Sequence, residues 1–174
     1  MDLRPALFLD RDGVLNVDRG YVSRVEDLEW IDGAMDCVAR FNQRGWYVFV
    51  VTNQTGIARG LYSESDMETV HRHLLSAFIQ NGAQIDRIYF CADHPEGCVP
   101  QYTRETINRK PGPGMLLRAM ADFPVRRESS FLIGDKPKDI AAAHAAGVGG
   151  FLFQGGNLAN FAEWALAAFE DGSR

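Results

Sequence analysis

Ala6-Leu7-Phe8-Leu9-Asp10-Arg11-Asp12-Gly13 is the stretch whose reading decides the fold of this chain. Four consecutive apolar residues running into two carboxylates and a glycine form the pattern of a strand covered on both faces and ending at a functional loop. Alternation along the strand points Asp10 and Asp12 out of the same sheet edge, and Gly13 leaves the backbone free to turn. Taken alone, Asp-x-Asp-Gly is equally a plain turn or a generic cation loop, so the rest of the chain has to decide between them.

Working outward, the pattern recurs. Tyr47-Val48-Phe49-Val50-Val51 runs into Thr52-Asn53-Gln54, and Phe131-Leu132-Ile133 into Gly134-Asp135. Arg87 to Cys91 and Gly150 to Phe153 read as two further strands. Helical patterns fill the gaps. Ala34, Val38 and Phe41 share a face that Gly45 ends. Ser63 and Asp66 form a capping-box pattern ahead of Met67, Val70, Leu74 and Phe78. Gly114 to Phe123, Ile140 to Ala146 and Leu158 to Phe169 complete the set. Strands alternating with helices predict an α/β, doubly wound, Rossmann-like parallel sheet of about five to six strands, in which ligands bind beyond the C-terminal strand ends.

The 174 residues suffice for one substantial core and no second domain, so a single domain over 1–174 is expected, with no large cap. A net charge of -5 argues against nucleic-acid or acidic-membrane partners, both of which need a basic face. The Ala6–Leu9 run is too short for a signal segment or a membrane span, and three cysteines suit reduced thiols, so a cytoplasmic protein is expected. A monomer is the default for the oligomeric state.

The polar residues cluster where strands end. Thr52 and Asn53 offer a hydroxyl and backbone N–H groups to a phosphate. Pro111 sets its own φ so that Lys110 points back toward the sheet end. Gly134-Asp135-Lys136-Pro137-Lys138-Asp139 supplies two carboxylates, either of which could complete a magnesium site of hard oxygen ligands. His71 and His73 read as surface residues of a helix, and His144 as packing near the end of another. Trp30, Trp46 and Trp164 read as edge or core aromatics.

In this order, Asp10-x-Asp12-Gly, Thr52-Asn53, Lys110-Pro111 and Gly134-Asp135-x-x-x-Asp139 resemble the four motifs of the haloacid dehalogenase-like phosphatases, from about Leu7 to Phe153. The resemblance implies that Asp10 is the nucleophile, Asp12 the general acid and base, and Thr52 and Lys110 the groups that neutralise the transferring phosphoryl oxygens. It implies a Mg²⁺ site at Asp10, the backbone carbonyl of Asp12, and Asp135, with Asp139 orienting its surroundings.

Within that family, Asp18-x-Gly20-Tyr21-Val22, Asn53-Gln54-x-Gly56-Ile57-Ala58-Arg59-Gly60 and Arg109-Lys110-Pro111 look like the heptose 1,7-bisphosphate phosphatases and the related histidinol-phosphate phosphatases. A small sugar bisphosphate is then the expected substrate, with its C7 phosphate removed during nucleotide-activated heptose synthesis. Asp18, Gly20, Tyr21, Asn53, Gln54, Arg59, Arg109 and Lys136 are the expected substrate contacts. The anomer stays open, as do histidinol phosphate or another small phosphomonoester, and a phosphate- or Mg²⁺-binding module without turnover. These subgroups carry a structural zinc in the loop before Lys110. Here Cys91 stands, but Asp93, Thr106 and Asn108 occupy the other ligand positions, a poor set for tetrahedral zinc, so no zinc is expected.

Overall fold

The computed structural model describes residues 2–172. Among them, five parallel strands form one sheet in the order β3-β2-β1-β4-β5. They are β1 (Ala6–Leu9), β2 (Tyr47–Asn53), β3 (Arg87–Cys91), β4 (Phe131–Gly134) and β5 (Gly149–Leu152). Helices α1 (Ala34–Gln43), α2 (Thr55–Ala58), α3 (Glu64–Gln80), α4 (Gly114–Asp122), α5 (Pro137–Ala146) and α6 (Leu158–Gly172) connect or follow them.

β1 shows why its sequence is continuously apolar. Leu7 and Leu9 enter one core with Val38 and Phe41 of α1, Leu74 and Phe78 of α3, and Ala162 of α6. Ala6 and Phe8 enter a second core with Leu116 of α4 and Ala142 of α5. Each side of the sheet is thus roofed by helices, and no β1 side chain reaches water. The chain winds one way through β2 and β3 and the other way through β4 and β5, so β1 and β4 flank the switch point. The Asp10 amide donates to the Ile133 carbonyl there (3.1 Å), joining the two strand ends.

The capping box of α3 is formed: Ser63 Oγ accepts from the Asp66 amide (3.1 Å), and Asp66 Oδ2 accepts from the Ser63 amide (2.8 Å). β5 lies one residue earlier than its apolar run predicts. α5 starts at Pro137 rather than Ile140, since a first-turn proline gives up no needed donor and Asp139 Oδ2 accepts from the Lys136 amide (2.9 Å). Thr55–Ala58 forms a short helix that the residue pattern does not announce; four residues are too few to show a period.

Two readings of individual side chains need correction, and the tryptophans divide between edge and core. His71 is buried, not a surface residue, because it stands four residues after Met67 and three before Leu74 on the inward stripe of α3. His144 is exposed rather than packed. Trp164 is largely exposed and belongs to the edge, whereas Trp30 and Trp46 pack against the core.

Candidate active site

Strand ends bring the expected residues to one cleft of about 370 Å³. Asp10, Asp12, Asp18, Gly20, Tyr21, Asn53, Gln54, Asp135 and Lys136 line it, together with Thr55, Tyr62 and Lys138. Thr52 and Lys110 lie buried beneath. Arg109 stands beside it, donating to Thr55 Oγ1 (2.7 Å), and Arg59 is exposed outside the lining.

The floor is charged and buried. Lys110 Nζ lies 3.0 Å from Asp10 Oδ2, 2.7 Å from Asp139 Oδ1 and 2.8 Å from the Val51 carbonyl. Asn53 fixes that lysine from outside, accepting from the Lys110 amide and donating to the Lys110 carbonyl, both at 3.0 Å. Gly134 permits the approach of Asp139, since a Cβ there would lie 2.2 Å from the Asp139 Cβ. Burial pushes the Asp10 carboxyl up to about 7 against the pull of Lys110, and the charge of Asp139 adds to the rise. Burial pulls Lys110 down, yet Asp10 and Asp139 together hold it above its ordinary value. Burial likewise raises Asp135, opposed by Lys136.

Asp10, Asp135 and Asp139 each place a carboxylate oxygen within 4.8 Å of the others. A single buried ammonium cannot neutralise such a group, so a hard dication fits. Asp139 already has both oxygens engaged, by Lys110 and by the Lys136 amide. Asp135 Oδ1, by contrast, is buried with neither a hydrogen bond nor an ion pair, since Lys136 meets Oδ2 of that carboxylate. Asp10 and Asp135 are therefore the side chains suited to Mg²⁺. Gly13 keeps the cradle open: its φ is +83°, and a Cβ there would fall 2.3 Å from Asp135 Oδ2.

Asp12 is organised differently. Its Oδ1 accepts from Arg11 Nη2 (3.0 Å), Arg11 Nε (3.3 Å) and Asn16 Nδ2 (3.0 Å). Its Oδ2 receives one long contact from Gln54 Nε2 (3.3 Å), which also donates to Thr52 Oγ1 (2.8 Å). Tyr62 donates to Gln54 Oε1 (2.6 Å) and fixes that amide. Over the cleft, Lys136 Nζ pairs with Asp135 Oδ2 (3.1 Å) and reaches Asp18 Oδ2 (3.9 Å), tying two loops together. Tyr21 beside them holds φ of 54°, an uncommon conformation for a residue with a side chain.

Sequence reasoning missed Arg11, Asn16, Tyr62, His71 and Lys138. Lys138 could have been found two residues after Lys136 in the same first turn, and Arg11 and Asn16 beside and four residues from their partner Asp12; Tyr62 and His71 meet Gln54 and Arg11 only in the folded chain and have no sequence signal.

In the loop before Lys110, the residues at the expected ligand positions are engaged with one another and with their neighbours. Asp93 pairs with Arg104 (Nε to Oδ2, 2.9 Å), burial raises the Cys91 thiol, and Thr106 Oγ1 accepts from the Asn108 amide (3.2 Å). The Arg104 guanidinium already offsets the charge of Asp93. Backbone bonds tie the loop down instead, with the Ala58 carbonyl accepting from the amides of Cys98 (2.8 Å) and Val99 (3.0 Å).

A family model described as HAD-hydrolase-like matches residues 107–166. The D-glycero-beta-D-manno-heptose-1,7-bisphosphate 7-phosphatase of Rhodopseudomonas palustris is 44% identical, over 94% of this chain and 91% of its own. A D-glycero-alpha-D-manno-heptose-1,7-bisphosphate 7-phosphatase of Burkholderia mallei is 46% identical, over 83% of this chain and 76% of its own. Among solved structures, the D,D-heptose 1,7-bisphosphate phosphatase of B. bronchiseptica, complexed with magnesium and phosphate, superposes with a TM-score of 0.83 at 29% identity, covering 94% of this chain and 99% of that one. Identity at this level over nearly the whole length leaves no doubt of descent: the chain belongs to the haloacid dehalogenase-like phosphatases, in their heptose 1,7-bisphosphate 7-phosphatase group.

Proposed function

We propose that this chain is a Mg²⁺-dependent phosphatase that removes the C7 phosphate of D-glycero-β-D-manno-heptose 1,7-bisphosphate, yielding heptose 1-phosphate for nucleotide-activated heptose. The observation that carries the reading is the Asp10 carboxylate held 3.0 Å from the buried Lys110 ammonium at the floor of a polar cleft. The β anomer is the reading proposed: the β-named relative matches 94% of the chain against 83% for the α-named one, although the latter is slightly more identical over its match, 46% against 44%.

In the first step an Asp10 carboxylate oxygen bonds to phosphorus as the bond from phosphorus to the C7 oxygen breaks, and Asp12 gives its proton to the departing oxygen. In the second step water attacks the aspartyl-phosphate, Asp12 takes the water proton, and the Asp10 oxygen–phosphorus bond breaks. Lys110 and the Thr52 hydroxyl donate to the phosphoryl oxygens in both. Mg²⁺ at Asp10, Asp135 and the backbone carbonyl of Asp12 would offset the charge of two approaching anions.

Asp18, Gly20, Tyr21, Asn53, Gln54 and Lys136 contact the sugar. Arg59 and Arg109 receive the C1 phosphate. Burial and then the charges of Arg109, Arg59 and Lys138 keep His94 below its ordinary value, which supports a cationic rim at that side. The chain works as a single domain and a monomer, with Mg²⁺ and without zinc. Its three free thiols suit the cytoplasm.

The test is Mg²⁺-dependent phosphate release from both heptose anomers, fructose 1,6-bisphosphate and histidinol phosphate, with Asp10→Asn as the blank. Preference for the β-heptose is expected. A preference for histidinol phosphate would overturn the substrate, and release that survives in Asp10→Asn would overturn the covalent step.

A further inference from the structure

Arg11 is the largest side chain with no exposure in the described structure, and the chemistry above gives it no task. Its guanidinium has partners on three sides. Nη2 donates to Asp12 Oδ1 (3.0 Å) and to the Val22 carbonyl (2.8 Å), Nε to Asp12 Oδ1 (3.3 Å), and Nη1 lies 3.2 Å from Nε2 of His71 on α3. A guanidinium only donates, so His71 Nε2 must accept and the imidazole must be neutral, with its proton on Nδ1. The charged groups facing that imidazole are Arg11 and Asp12, and burial with Arg11 favours the neutral form; Phe90 packs its ring against it (6.3 Å between centroids).

We propose that His71 is a positioning residue for the proton transfers of Asp12, acting through Arg11. The imidazole fixes the guanidinium so that Arg11 and Asn16 occupy Asp12 Oδ1. Oδ2, with a single long contact, is left as the oxygen presented to the leaving group and to water. This rests on Asp12 as the acid and base of the reaction described above.

The test compares His71→Leu, which removes the acceptor, with His71→Gln, whose amide oxygen keeps one. Each is assayed on the best sugar phosphate found for the wild type and on p-nitrophenyl phosphate, whose leaving group needs no proton. For His71→Leu, kcat/KM on the sugar phosphate should fall by about tenfold or more while that on p-nitrophenyl phosphate holds. KM should stay near the wild-type value, and His71→Gln should recover most of the loss. Equal losses on both substrates, or none on either, would overturn the proposal. If His71→Leu does not fold, the His71→Gln ratio and the ¹⁵N-resolved tautomer of His71 in the wild type decide, because a proton on Nε2 is incompatible with it. Taking the ratio on whichever sugar phosphate the wild type prefers keeps this result separate from the substrate assignment.

Discussion

The ammonium of Lys110 lies 2.7 Å from Asp139, and neither side chain has any exposure. One cation there serves two carboxylates, since Asp10 stands 3.0 Å from the same nitrogen. Removing it strands two buried anions. Lys110→Met should therefore lower the unfolding free energy by about 3–5 kcal/mol as well as abolish turnover. Urea denaturation measures the first, and added Mg²⁺ should restore part of it. The double variant Lys110→Met/Asp139→Asn should be more stable than Lys110→Met alone, because Asn keeps the acceptor for the Lys136 amide. A Lys110→Met protein as stable as wild type would contradict the pairing.

Gly13 and Asp135 set the Mg²⁺ cradle. Gly13→Ala combines a positive φ with a Cβ 2.3 Å from Asp135 Oδ2, so Asp135 must move. The Mg²⁺ concentration giving half-maximal activity should rise by about tenfold or more, while the melting temperature in the absence of Mg²⁺ drops only modestly. Unchanged Mg²⁺ dependence would place the ion elsewhere.

Stability should fall in mild acid because of His71. The folded protein protonates it only near pH 3, whereas an unfolded histidine takes its proton near 6.5. Below pH 6.5 the unfolded chain therefore binds one more proton than the folded one, and the loss grows until about pH 3. At pH 5 it reaches about 2 kcal/mol. Denaturation curves of wild type and His71→Gln at pH 7.5 and 5.0 isolate this contribution, since Gln does not titrate; parallel pH dependence in the two proteins would rule it out.

The 91–109 loop should need no metal. Exposure to a zinc-selective chelator followed by added Mg²⁺ should leave the melting temperature and activity of the wild type unchanged. Arg104→Ala, which frees Asp93, should speed proteolysis between residues 92 and 106 without altering kcat. Activity that returns with zinc but not with Mg²⁺ would refute both statements.

The strands and the ends at which chemistry collects were legible from the chain alone. A residue run covered by helices on both sides must be apolar throughout, as in Ala6–Leu9, and the carboxylates that end it have nowhere to go but the sheet edge. Asp10, Asp12, Thr52 and Asp135 stand at or just past the ends of β1, β2 and β4, and they converge because these neighbouring parallel strands end on the same side; Lys110 comes to them from the segment ahead of α4. What local pattern cannot express is a partner on another element. Whether Asp139 binds a metal or a lysine, whether His71 faces water or Arg11, and whether Asp93 meets an ion or Arg104 each depends on residues 11 to 60 positions away in the chain. Those choices are made by packing: burial makes an unpaired charge costly, and only the folded arrangement determines which group stands close enough to pair it.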